Sequence, residues 1–256
     1  MIWGYAFGRQ TVHPRGNGTH SWASKDWRIT HFDPCRGPLS DRELYAFNQQ
    51  AALEQRPEVV YPQSVPVDDT GLHLHCSEHT NATLPRQLVP PVCKQITHEA
   101  VPSAWRTTVF VFESPTDLVC FYMSSDTPLS LVNHITLVLW VHVRELRYWT
   151  VCLRDLPVAS FTALRGLNIV LPAVVPDSTD FVLESYLYPV YEIILRCREI
   201  RLQEDQTTVL LVNYPHLAHL PPPQTRLAFP KRVASAETMR TLMLQKKVVK
   251  TALQPK

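Results

Sequence analysis

The chain has 256 residues, 45% hydrophobic and 19% charged, with a net charge of +2. That balance excludes a disordered polymer, and the length suffices to bury a core without a metal or a disulfide. Residues 231–256 carry seven Lys/Arg and one acid, Glu237, so the other 18 basic and 22 acidic residues leave the body mildly acidic, which speaks against a general nucleic-acid surface.

Gly4, Gly8, Gly16, Gly18 and Gly37 all fall in the first 37 residues, and only Gly71 and Gly166 follow. Residues 1–39 therefore read as an irregular N-terminal segment, which Trp3, Trp22 and Trp27 can anchor to the body. The opening, MIWGYAFGRQTVHPRG, lacks a basic region followed by an apolar stretch of signal-peptide length. The six cysteines (Cys35, Cys76, Cys93, Cys120, Cys152, Cys197) are scattered singly, unlike a disulfide framework. The expectation is an intracellular protein of cytoplasm or nucleus, with reduced thiols and with the Asn17 and Asn81 sequons unglycosylated. No membrane association is expected, because the longest apolar run, ITLVLWVHV, is about half a membrane helix.

SDRELYAFNQQAALEQ, residues 40–55, predicts a short helix. Ser40 is its N-cap, Glu43 follows three residues later, and Leu44, Phe47 and Ala51 form an apolar stripe. Residues 57–91 hold six prolines, so long regular elements are not expected there. Within them GLHLHCSEH places His73, His75, Cys76 and His79 close together, a candidate zinc set and the sole metal candidate in the chain. Zinc signatures normally come as two separated pairs. On an extended segment His73 and His75 point away from Cys76, so His79 or Cys93 completes a tetrahedral set only if the chain folds back. A solvated polar loop is the simpler reading, and no metal or other cofactor is expected.

From Pro90 the pattern sharpens. PVCKQITHEAVPSAW sets Val92, Ile96 and Ala100 on one helical face beside Cys93, with prolines marking its start and end. TTVFVF, Thr107 to Phe112, reads as a buried strand. SPTDLVCFYMSS opens a helix with Ser114 as N-cap, Pro115 in the first position and Asp117 in the first turn. HITLVLWVHV reads as a second strand, and a helical piece with Leu146, Trp149, Leu153 and Leu156 follows it. Then come the strand LRGLNIVLP and a helix across STDFVLESYLYPVYEIILRC that Pro189 kinks. REIRLQ and TVLLVN close the ordered part.

Strand centres near Val111, Leu139, Ile169 and Leu202 recur about every 30 residues with a helical pattern in each interval. The predicted fold is α/β, a short strand-helix array, degenerate and leucine-rich-repeat-like, with a mostly parallel sheet and helices on one side. It spans residues 40–215. A three-layer doubly wound fold has the same alternation. Residues 216–256 read as a Pro-rich linker, containing HLPPPQ at 219–224, and a basic tail. That tail can form a helix with Met239, Leu242, Met243 and Leu244 on its apolar side, for a partner, a nuclear localisation receptor or a nucleic acid. A solvated tail is the expected state.

The stretch VPPVCKQITHEAVPSAWRTTVFVFESPTDLVCFY resembles the fungal F-box-like proteins of unknown function, whose hallmark is LLxVCRQIYxEAxPxLYxxNTFxF followed by an SPxxLxxFL helix. Val92, Cys93, Gln95, Ile96, Glu99 and Ala100 match the helix, and Thr107, Val109, Phe110 and Phe112 match the strand. Ser114, Pro115 and Leu118 match the next helix. The resemblance implies structural roles, with Cys93 and Ile96 in the core, Phe110 and Phe112 packing the strand, and Glu99 as a cap or ion-pair partner. It defines no catalytic residue. The Leu-Pro and Glu-Ile-Arg elements that open such proteins are absent from PLSDRELYAFNQQ.

Nucleotide, hydrolase and metalloprotease signatures (GxGxxG, GxxxxGKS, GxSxG, HExxH) are missing, and His98-Glu99 lacks a second histidine. Cys93 and His98 diverge around a helix and read as a core thiol and a surface imidazole. The expectation is a non-catalytic protein-interaction module whose partner is an unidentified protein. The alternatives are a substrate-recruiting subunit of a cullin-type ubiquitin ligase, with residues 40–55 meeting a Skp1-type adaptor, and a zinc-binding module.

Overall fold

The computed structural model describes residues 10–16, 28–35, 40–56, 93–139, 143–172, 190–198, 200–212 and 229–245. Val109–Phe112 (β3), His134–Val138 (β4), Gly166–Pro172 (β5) and Thr208–Val212 (β6) form parallel strands. Two more come from the segment expected to be irregular: Thr11–Gly16 (β1), parallel to β3, and Ile29–Pro34 (β2), antiparallel to β1. The sheet order is β2-β1-β3-β4-β5-β6. β1 and β2 escape a pattern search because each is rich in polar residues and proline. Their apolar contribution is small but fully buried, through Val12, Ile29 and Phe32, and the ladder to β3 supplies the remaining order.

The α/β expectation holds, with a mostly parallel sheet in which strand and helix alternate. β3, β4, β5 and β6 follow one another across the sheet, so each crossover steps the same way. Helices Lys94–Thr107 (α2), Pro115–Met123 (α3), Val143–Arg154 (α4) and 190–197 (α5) share one core with one face of the sheet. On that face Phe112, Leu137, Ile169 and Val209 stand in a row across four strands. An aromatic cluster closes its β2 end. Trp105 stacks on Phe110 at 5.1 Å, Phe110 lies 5.0 Å from Phe121, and Phe32 meets Trp105 edge-on at 6.0 Å. Each such buried ring stabilises the fold by roughly 1.5–3 kcal/mol.

Helices do not lie on one side alone. Asp41–Leu53 (α1) packs its Leu44 with Val111, Val138, Val170 and Leu210 on the opposite face. Its predicted start is realised as a capping box: Ser40 accepts from the Glu43 N–H, and Glu43 accepts from the Ser40 N–H at 2.8 Å. Phe47, expected in the buried stripe, is instead exposed, and Asn48 takes the buried position.

Three further expectations change. Pro102 lies inside α2, which runs on to Thr107. The proline removes a bond to the carbonyl of His98, an exposed residue where water can substitute. The last strand is TVLLV, not the segment around Leu202, because Arg201 and Gln203 are exposed whereas Thr208, Val209, Leu210 and Val212 are buried. The region read as a solvated tail carries Phe229–Leu244 (α6), which packs on β6 and on α1. Met239 and Met243 are buried in the main core. Four apolar residues in a basic sequence are a weak signal for burial, and only the exposed edge of β6 creates the demand for them. The Pro189 kink and the HLPPPQ segment lie outside the described residues.

Candidate functional site

On the α1 face, β1 carries His13 and Arg15, β2 carries Asp33 and β3 leads into Glu113. Alternation along the strands puts them on one side of the sheet, and antiparallel register sets His13 opposite Asp33. Ser114 caps α3 through the Thr116 N–H at 3.2 Å, which places Asp117 in the first turn. The Gly16 N–H then donates to Asp117 Oδ1 at 2.9 Å. A Cβ on Gly16 would stand 2.4 Å from Cys120 Sγ, so this close approach of β1 to α3 requires glycine.

Arg15 is the hub of the cluster. Its Nε donates to Asp33 Oδ2 at 2.9 Å, its Nη2 to Glu113 Oε2 at 3.1 Å, and its Nη1 lies 3.7 Å from Asp117 Oδ2. His13 Nδ1 is 3.5 Å from Glu113 Oε1, and His31 Nε2 is 3.4 Å from Asp33 Oδ1. Burial by itself lowers the Arg15 pKa, but Glu113, Asp33 and Asp117 together outweigh it and hold the guanidinium above its usual value. Burial pushes the Asp117 carboxyl up, against the opposing pull of the Gly16 N–H and Arg15. The location is chemically suggestive. Open parallel sheets carry ligands beyond the carboxyl ends of their strands where strand order reverses, and here the chain leaves β1 for β2 and returns on the other side as β3.

A second polar group crosses the same face nearer the start of the strands. Thr208 Oγ1 donates to Asn168 Oδ1 at 2.8 Å, Asn168 Nδ2 to Thr136 Oγ1 at 3.2 Å, and Thr136 Oγ1 to Asp41 Oδ2 at 2.9 Å. All the donors point towards one buried carboxylate in the first turn of α1, where the helix dipole also favours negative charge.

The zinc candidates His73, His75, Cys76 and His79 lie outside the described residues. Among the described residues no group of three His, Cys, Asp or Glu is placed to hold a metal. Cys93, expected in the core, is the exposed N-cap of α2 and accepts from the Ile96 N–H at 3.5 Å. His98 is exposed, and Glu99 accepts from Gln95 at 3.2 Å. Phe110 and Phe112 are core residues as the motif implies, and Ile96 is half-buried against that core. Burial pushes the thiols of Cys120 up to about 11 and of Cys152 and Cys197 to about 12, which keeps them protonated at neutral pH.

Sequence reasoning missed His13, Arg15, Asp33, Glu113 and Asp117. The alternating polar residues of HPR and HFD are the available signal, and they become legible only once these segments are known to be strands. No family model, no curated protein and no solved structure matches the chain. No helix among the described residues is long and apolar enough to cross a membrane.

Proposed function

We propose that the chain is a non-catalytic protein-interaction module. The observation carrying this reading is the Arg15 cluster. The crevice where a parallel α/β sheet would admit a ligand holds the protein's own guanidinium, engaged by Asp33, Glu113 and Asp117. Its chemistry is that of a lock. It ties the β1-β2 hairpin to β3 and α3, and Asp33 and His13 at its heart are 2% and 0% exposed.

The surface suited to partners is then the outer side of the helices. Met123 on α3, Tyr148 and Val151 on α4 and Leu195 on α5 are 56, 40, 38 and 48% exposed. Tyr and Met are favoured where proteins meet. The test compares proteins captured by the wild-type chain with those captured by Tyr148→Glu/Val151→Glu. Loss of the same partners from a folded variant supports the reading; an unchanged set removes this surface from it.

The adaptor-binding alternative assigns that role to α1. Asp41, Leu44, Asn48 and Ala51 of α1 are buried against the body, which leaves Phe47 and Leu53 as its exposed large apolar residues. Co-elution with a purified Skp1-type adaptor, abolished by Phe47→Glu, would favour that alternative. A module that folds around zinc would instead retain about one equivalent of metal on purification.

A further inference from the structure

We propose that the groove between α4 and α5 docks an acidic, amphipathic segment of a partner protein, whose carboxylates meet Arg147, Arg154 and Arg196 while its apolar side chains meet Val151 and Leu195. The inference rests on the reading of the outer helical surface as the side that partners use, and adds the chemistry of what binds there.

α4 connects β4 to β5 and α5 connects β5 to β6, and both helices pack on the same face of the sheet, so they lie side by side. Successive residues of a helix step round its axis by about 100°. On α4, Trp149, Cys152 and Leu153 are buried and Val151 points to solvent. Tyr148 then stands about 60° from Val151 on the Cys152 side, and Arg147 and Arg154 stand about 40–60° from it on the other. The Cys152 side faces α3: burial, then Cys152 and Asp155, push the Tyr122 phenol of α3 up to about 12. Arg147 and Arg154 therefore face α5.

The same construction orients α5. Val190, Ile193, Ile194 and Cys197 are buried. Just past the helix, Arg198 Nε donates to the Gln245 carbonyl at the end of α6 at 2.9 Å, so that side faces α6. Arg196 lies on the opposite side, towards α4, and Leu195 points to solvent. Arg147, Arg154 and Arg196 thus line one groove, with Val151 on one wall and Leu195 on the other.

The charge of this groove is open to a partner. Arg147 and Arg196 are exposed and have no ion pair among the described residues, although Glu192 stands one turn before Arg196. Arg154 Nε lies 3.3 Å from Asp155 Oδ1, but the two side chains are 59 and 60% exposed, and so open a pair contributes little. An arginine in a last turn complements the helix dipole, which accounts for Arg154 and Arg196. Arg147, in the middle of α4, has no such role. Outside residues 231–256 the chain has 18 basic and 22 acidic residues, so a basic groove runs against the sign of the body and selects a partner by charge. Guanidinium forks match carboxylates, and the apolar walls suit one face of a helix better than a bare polyanion.

The experiment uses the full-length chain and the fluorescence anisotropy of a labelled synthetic peptide, about 18 residues or five helical turns long, with Leu on one face and Glu on the other. A second peptide carries Gln in place of every Glu. The acidic peptide is expected to bind at least about tenfold more tightly than the neutral one. That advantage should shrink as salt rises from about 0.05 to about 0.5 M. Arg147→Glu/Arg196→Glu, with native circular dichroism, is expected to erase it, and Arg42→Glu on α1 to leave it. The proposal is overturned if the two peptides bind alike, if the Arg147/Arg196 reversal keeps the preference, or if Arg42→Glu abolishes it equally. Tighter binding of anionic lipid vesicles or of a single-stranded oligonucleotide than of the acidic peptide also overturns it. Should the reversal unfold the chain, Arg147→Gln/Arg196→Gln serves instead: a loss of about threefold or more supports the proposal, and unchanged affinity overturns it. Partner capture separates this proposal from the reading beneath it. Partners lost with Tyr148→Glu/Val151→Glu but kept with Arg147→Glu/Arg196→Glu leave the surface standing and overturn the acidic partner.

Discussion

The two ends of the α1 face bury polar groups in different ways. Around Arg15, one cation balances three carboxylates, with His13 buried beside Glu113 and the more exposed His31 beside Asp33. Around Asp41, neutral donors are aligned in series towards a single carboxylate. The first arrangement depends on charge balance: losing the cation leaves one buried and two half-buried carboxylates facing one another. The second depends on direction: losing one donor breaks a chain but leaves only one group short of a partner. The charged end is therefore expected to tolerate substitution less well than the neutral one.

The largest expected effect comes from Arg15→Met, which should destabilise the fold by up to about 3–5 kcal/mol in urea unfolding, because Asp33 stays buried and Glu113 and Asp117 half-buried without their cation. An effect below that of a ladder substitution would reverse the ranking. Gly16→Ala sharpens the same end by geometry. Its Cβ would meet both Cys120 Sγ and Cys120 Cβ, 2.4 and 2.6 Å away, so about 1–3 kcal/mol of destabilisation is expected from overpacking. At the neutral end, Thr208→Val removes the donor to Asn168 without adding a charge, and should cost about 1–2 kcal/mol. Unchanged unfolding in that variant would show that the ladder contributes nothing.

Smaller still is the expected effect of Asp117→Asn, whose amide oxygen can keep the Gly16 bond. Its value lies in pH dependence. Burial raises the folded pKa of Asp117 above the ordinary 3.8, so ionised Asp117 detracts from stability at neutral pH. That penalty is relieved as pH falls through the folded pKa towards 3.8. Asp117→Asn should remove this acid-side gain and flatten the stability profile in that window, while stability at pH 7 changes by less than about 1 kcal/mol. A profile unchanged by the substitution would exclude Asp117 as its source.

Much of the fold was legible in the sequence, and the reasons are local. Ser40 with Glu43, and Ser114 with Pro115, announce helix starts because capping is a matter of a few neighbouring residues. VFVF and GLNIVLP announce strands because burial on both faces demands apolar residues throughout. Pro102 misled because an exposed turn tolerates the lost bond, and Phe47 because α1 turns Asn48 inward instead. The candidate site was not legible. Arg15 is 98 residues from Glu113 in sequence and lies about as far from Asp117, and it meets them only through the parallel pairing of β1 with β3.

By itself the sequence determined the α/β alternation and the starts of its capped helices, since each follows from propensity and patterning within a few turns of chain. Tertiary structure alone decided that polar, proline-bearing segments join the sheet as β1 and β2, that α1 covers its second face, and that a basic terminal helix seals its last edge. Those outcomes turn on which surfaces need covering. No local stretch of chain carries that information, because the need arises only when distant strands have been laid side by side.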